Sequence, residues 1–220
     1  MTRNINSRRW SKQRQQPEAG AEAMEVVIPD GQSGEWRVES FTLSELESKM
    51  TMIRAMASGR PDEYAPAGNY KRLKRGSVVV MSNTPMEIRT NADFIRRAKG
   101  RVLINGLGLG MVLTAILKKP DVTSVTVVEA SEDVIKLVAP SFAGDSRVTI
   151  THSCAFQHTP EPGERFDTVW HDIWDYITAS NLPQMNQLHD KYRAISDWQG
   201  SWARRECEAM REEELSYNGL

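Results

Sequence analysis

Residues 101–110, RVLINGLGLG, decide the fold. An apolar run, RVLIN, reads as a buried strand, and the helical run MVLTAILKK follows directly, closed by Pro120. Between them Gly106, Gly108 and Gly110 stand at alternate positions. One glycine suffices for a turn. Three suggest that something lies very close to the backbone where a strand ends and a helix begins.

The pattern continues outward on the C-terminal side. SVTVVE reads as a strand, ASEDVIKLVAPSF as a helix with Ser131 as its cap, and RVTITHS as a strand. FDTVWHDIWDY contains a further strand, ISDWQGSWAR is a candidate fifth, and RRECEAMREEEL is a closing helix. Strands alternating with helices imply βαβ units and a parallel sheet, whose ligands bind beyond the strand C-termini.

On the N-terminal side the pattern is different. EVVIPDGQSGEWRVESFTL reads as a hairpin around PDGQSG, and NYKRLKRGSVVVMSN as a second hairpin turning at Arg75-Gly76. Between them TLSELESKMTMIRAMASG is a helix capped by Thr42 or Ser44, with an apolar face of Leu43, Leu46, Met50, Ile53 and Met56. TNADFIRRAKG is a short helix ending at Gly100. The expected organisation is a disordered basic tail over 1–20, an N-terminal α+β cap over 21–99, a cofactor-binding domain over 100–200 and a C-terminal helix over 201–220.

Composition narrows the function classes. The formal net charge is −1 and hydrophobic residues make up 40% of the 220 positions. That balance gives no reason to expect nucleic acid or an anionic membrane as partner, and no apolar run reaches the ~20 residues of a membrane span. The basic start lacks the apolar core of a secretory signal. Cys154 and Cys207 fit no metal or disulfide spacing, so a reduced, cytoplasmic setting is the expectation. His152, His158, His171 and His189 show no ligand spacing, and no metal is expected.

The glycine loop acquires chemical meaning from Glu129, nineteen residues after Gly110 and at the end of the next strand. An acid there is placed to accept hydrogen bonds from both hydroxyls of a ribose. The alternative is a tight packing turn beside an unrelated surface acid. Dinucleotide loops favour G-x-G-x-x-G, whereas this spacing is G-x-G-x-G, and there is no G-x-x-x-x-G-K-[ST] phosphate loop.

The loop resembles motif I of class I S-adenosylmethionine-dependent methyltransferases, and Glu129 resembles their ribose-binding acid. With NGLGLG, VVEAS and FDTVWHDIWDY together, residues 70–198 look like the spermidine synthase-like branch, in an uncharacterised bacterial and phage group. The resemblance implies a Rossmann-like parallel sheet with a small N-terminal hairpin and helix extension, and this sequence departs from it in leaving no room for the usual last hairpin, so a C-terminally shortened sheet is expected. It also implies a β segment similar to GSVVVMSNTPME lying over the cofactor. Asp172 and Asp175 match that branch's D-x-x-D pattern, the first acid orienting or deprotonating the nucleophile and the second holding an ammonium. Cys154 stands where the family usually has an acid for the adenine amino group, leaving the backbone from Ser153 to Phe156 to frame the base.

The expected site therefore comprises Asp172 and Asp175 as catalytic residues. Asn105, Gly106, Gly108, Gly110, Glu129, Cys154, Ala155 and Asp172 would bind S-adenosylmethionine. Trp174 and Tyr176 are candidates for the substrate wall. The leading expectation is a methyltransferase acting on a small molecule, the acceptor being an amine in one version. An aminopropyltransferase and a non-catalytic nucleoside-binding module stand as alternatives. The oligomeric state is open, although the N-terminal hairpins could pair as a homodimer, as in related enzymes.

Overall fold

The structure is a computed structural model describing residues 26–57, 59 and 64–217. The basic segment 1–20 lies outside the described residues. Two sheets carry the architecture. The first is antiparallel: β1 (Gly31–Ser33), β2 (Trp36–Leu43), β3 (Gly68–Arg75) and β4 (Val78–Ser82), in the order β1-β2-β3-β4. The β1–β2 turn falls at Gly34-Glu35, so the first strand begins inside the PDGQSG stretch expected to be the turn. The second turn is Gly76-Ser77, with Gly76 in the left-handed region (φ +58°) that favours glycine.

The second sheet has five strands, all parallel: β5 (Gly100–Asn105), β6 (Val122–Glu129), β7 (Val148–His152), β8 (Phe166–His171) and β9 (Ser196–Ser201). Their order is β7-β6-β5-β8-β9. The chain runs outward from β5 through β6 to β7, then returns to the other side of β5 for β8 and β9. The reversal puts a crevice above the C-terminal ends of β5 and β8, the switch point of a Rossmann-like sheet. Val102, Leu103 and Ile104 of β5 are all buried, as a central parallel strand covered on both faces requires.

Helices cover both faces. α2 (Pro85–Arg97) and α3 (Met111–Leu117) pack with Ile104, Trp170 and Trp198 in the larger core. There Phe94 stacks on Trp170 at 4.9 Å between ring centroids, and Trp170 stacks on Trp198 at 6.4 Å. α5 (Leu182–Tyr192) buries Leu188 and Tyr192 against Leu103, Val128 and Val169 on the opposite face. α4 (Glu132–Val138) starts as expected, with Ser131 Oγ accepting from the Val134 N–H, and α6 (Arg204–Tyr217) follows β9. α2 begins five residues before the expected TNADFIRRAKG stretch, with Pro85 in its first turn, where a missing N–H costs nothing.

One expectation is reversed. α1 (Glu45–Ala57) is capped by a reciprocal pair: Ser44 N–H donates to Glu47 Oε2 (2.8 Å) and Glu47 N–H to Ser44 Oγ (3.3 Å). Yet its large apolar residues do not face the protein. Ser48 and Ala55 turn inward instead, and the Ser48 and Thr51 hydroxyls donate to the Ala65 carbonyl at 3.0 and 3.2 Å. Leu46, Met50, Ile53 and Met56 are exposed. Hydroxyl-to-backbone bonds, rather than apolar burial, fix which face docks.

The antiparallel sheet lies over the C-terminal edge of the parallel one, with Val38 and Leu73 buried in the shared core and three polar contacts at the seam. Ser33 Oγ donates to Asp133 Oδ1 on α4 (2.6 Å), Met81 Sδ of β4 accepts from the Leu109 N–H (3.2 Å), and Arg75 pairs with Asp175 (3.0 Å). The enclosed space is the candidate site.

Candidate functional site

A cavity of about 580 Å³ opens at the switch point between the two sheets. Its floor comes from the ends of β5, β6 and β8: Gly106 and Gly108, Glu129, and Asp172. Trp36, Arg75 and Met81 of the antiparallel sheet form the roof. Cys154, Ala155 and Phe156 form one wall, and Trp174, Asp175 and Trp202 another.

Glu129, the last residue of β6, is fixed by two backbone donors. Leu107 N–H reaches Oε2 and Ser131 N–H reaches Oε1, both at 2.8 Å. Each oxygen keeps a lone pair for a further donor. The carboxylate thus ties the glycine loop to the start of α4 and stands at the cavity edge with its acceptor capacity half used.

The three glycines are accounted for by the protein's own atoms. All have positive φ: +103° at Gly106, +50° at Gly108 and +68° at Gly110. A Cβ at Gly106 would overlap the Asp172 carbonyl oxygen, and one at Gly108 the Met81 sulfur. At Gly110 it would stand 2.6 Å from the Phe142 ring. What lies close to this backbone is the end of β8, a roof residue and the segment after α4. Four of the loop N–H groups are also engaged: Gly106 with Val128 O, Leu107 with Glu129, Leu109 with Met81, and Gly110 with Leu107 O.

Gly110 and Asn105 lie outside the cavity lining. Asn105 is fully buried, and its Nδ2 meets His171 Nδ1 at 2.8 Å. With Nδ2 as donor, His171 is neutral and its Nε2–H faces Gln199 Oε1 at 3.3 Å. Burial, opposed by the Gln199 hydrogen bond, holds the imidazole down to about 3. The pair braces β5 against β8 one residue before Gly106 and Asp172, beneath the cavity. Strand alternation thus separates His171 from Asp172, as expected.

Asp172 follows β8, its N–H donating to Asn105 O (2.8 Å) and its side chain lining the cavity. Burial above all, then the nearby Glu87 and Glu129, pushes its carboxyl up to about 8. Glu87 in the first turn of α2 is 8% exposed, and burial, opposed by the Ser82 N–H, raises it to about 7. Sequence reasoning did not single out Glu87. A first-turn acid is ordinary on a helix, and only the docking of α2 onto the parallel sheet turns this one inward. The cavity lining holds six carboxylates (Glu35, Glu87, Glu129, Asp133, Asp172 and Asp175) and one Arg or Lys, Arg75.

Asp175 lines the cavity with its Oδ2 already held by Arg75 Nη2. Arg75 in turn stands over the Trp36 ring at 5.4 Å. Trp174 lines the cavity and donates to Gln184 Oε1 (2.8 Å), whereas Tyr176 is 63% exposed and outside the lining. The Cys154–Phe156 wall is held by Lys191, whose ammonium donates to the Ala155 and Phe156 carbonyls at 2.9 and 3.0 Å. Among the described residues, no three His, Cys, Asp or Glu side chains converge as a metal site, and no helix is long and apolar enough to cross a membrane.

Neither a family model nor a curated protein matches the sequence. Solved structures with a similar chain path include spermidine synthase from Thermotoga maritima (17% identity, TM-score 0.42), covering 79% of this chain and 54% of that one. The N-methyltransferase NodS from Bradyrhizobium japonicum matches at 15% identity and TM-score 0.38, over 50% of this chain and 57% of NodS. YcgJ from Bacillus subtilis matches at 24% identity and TM-score 0.32, over 38% and 37% of the two chains. This chain thus spans about half or less of those proteins' length. The α/β, Rossmann-like fold rests on the strand order β7-β6-β5-β8-β9 itself.

Proposed function

We propose that the protein is an S-adenosylmethionine-dependent transferase, a methyltransferase acting on a small molecule. The observation that carries this reading is Glu129, a half-engaged carboxylate at the end of β6, on the edge of an acid-lined cavity at the switch point. Two further observations support this cofactor over a dinucleotide. The glycine loop's N–H groups at Gly106, Leu107, Leu109 and Gly110 have partners within the chain, which leaves little to offer a pyrophosphate. Even with Asp172 and Glu87 raised toward protonation, the four other acids of the lining (Glu35, Glu129, Asp133 and Asp175) outnumber Arg75, which suits a cationic sulfonium rather than an anion.

When bound, the cofactor supplies an electrophilic methyl group on positive sulfur. The chain's residues supply the rest. Glu129 accepts from the ribose hydroxyls. The Cys154–Phe156 wall, stiffened by Lys191, frames the adenine by shape and backbone groups. Asp172 receives at its carboxylate the proton that an amine nucleophile must lose, and a base titrating near 8 is matched to neutral conditions. Trp174 and Asp175 bound the acceptor side.

An aminopropyl transfer onto an amine is the second reading, favoured by Glu87 standing near Asp172 as an additional buried carboxyl. Turnover with a panel of small amines separates the two. Methyl transfer releases S-adenosylhomocysteine, whereas aminopropyl transfer from the decarboxylated cofactor releases methylthioadenosine. Neither product with any acceptor, at saturating cofactor, would contradict the transferase reading.

A further inference from the structure

The outer face of α1 is apolar in a specific pattern. Within the helix Leu46, Met50, Ile53 and Ala57 follow a 4-3-4 spacing, the a/d stripe of a two-stranded coiled coil. Leu46 is 71% and Ile53 58% exposed, with Met50 and Met56 exposed beside them. The opposite face is the one that docks, through Ser48, Thr51 and Ala55. A helix that hides its small polar residues and displays leucine, isoleucine and methionine is oriented toward a partner.

We propose that α1 is a self-association surface, pairing antiparallel with α1 of a second copy of this chain across a two-fold axis. The charges beside the stripe select this occupant. Glu47 and Arg54, seven residues apart, flank the stripe on the same side. An antiparallel two-fold pairing sets Glu47 of each copy against Arg54 of the other, so opposite charges meet twice. Glu47 remains available for this, because Ser44 engages only its Oε2. The methionines add adaptable surface to the seam. Two short helices bury less than the ~800 Å² per partner of a standard interface, so the association is reversible and concentration-dependent.

Sedimentation velocity and light scattering over about 1–300 µM test this, a span in which weak pairs of this size dissociate and re-form. Wild-type protein is expected to pass from monomer to dimer, and Ile53→Glu to stay monomeric with an unchanged melting temperature. Arg54→Glu and Glu47→Arg each set like charges against each other and weaken self-association. An equimolar mixture of those two variants is expected to associate, because every facing pair then has opposite sign. Three results would overturn the proposal: a wild-type monomer at the highest concentration, a dimer indifferent to Ile53→Glu, or a mixture no stronger than its components.

Discussion

Arg75 Nη2 donates to Asp175 Oδ2 across 3.0 Å, joining the β3–β4 turn to the loop that follows β8. This bond closes the cavity roof against its wall, and it occupies the acid that the D-x-x-D pattern assigns to an acceptor ammonium. The partners are 44% and 28% exposed, so the pair contributes at most about 1 kcal/mol to stability. Its consequence is access.

Arg75→Ala is therefore expected to leave the melting temperature within a few degrees of wild type. Amide hydrogen exchange should quicken in the turn around Gly76 and in the loop after Asp172, reporting a looser roof. Unchanged exchange in both segments would show that the roof is held without this pair, by the Met81 and Ser33 contacts and the shared core around Val38 and Leu73.

The raised acids make stability depend on pH with a defined sign. Asp172 titrates near 8 and Glu87 near 7 in the folded protein, against roughly 4 when unfolded. Between those values the folded state holds protons that the unfolded state has lost. Their contribution is fully present below about pH 4, falls as pH rises toward 8, and levels off above it. Asp172→Asn should flatten this slope and raise the melting temperature at pH 8.5 by several degrees, with little gain at pH 5. A thermal-shift series across this range reads both. Equal pH slopes in wild type and variant would contradict the assignment.

Gly106→Ala is expected to be the most damaging single change in the loop. It combines φ +103° with overlap on the Asp172 carbonyl, which belongs to backbone and cannot swing aside. A loss above about 3 kcal/mol follows, visible as reduced soluble yield or a collapsed denaturation midpoint. A variant with wild-type stability would mean that β5 and β8 can separate at their ends.

Asn105→Ala removes the donor that His171 Nδ1 meets at 2.8 Å in the core. The expected cost is about 1–3 kcal/mol by chemical denaturation, since the buried ring nitrogen is left without its partner. The His171 ring resonances should shift as the neutral tautomer loses its anchor.

Much of this arrangement is legible in the sequence. The apolar run at 102–104, the glycines and the acid at 129 are local signals, and they placed β5, α3 and β6 in sequence. Ser131 was legible as a cap because capping is a one-turn interaction. α5 was missed. Its buried residues Leu182, Met185, Leu188 and Tyr192 are separated by Asn, Gln and His, which weaken the helical signal. The outward turn of α1 was illegible because the segment at Ala65, not the helix, chooses the docking face. Met81 and Arg75 reach the cavity only through the packing of one sheet on the other, and Glu87 only through the docking of α2, relationships between residues far apart in the chain. Asn105 was read as a cofactor contact from its place beside the loop. The pleat directs it into the core.

The central claim is that Glu129 and its cavity bind S-adenosylmethionine, and calorimetric titration of that cofactor into wild type and Glu129→Ala tests it most directly. One-to-one binding to wild type is expected, weakened at least about tenfold in the variant, with circular dichroism confirming that the variant is folded. No binding to wild type, or equal binding to both, would contradict it.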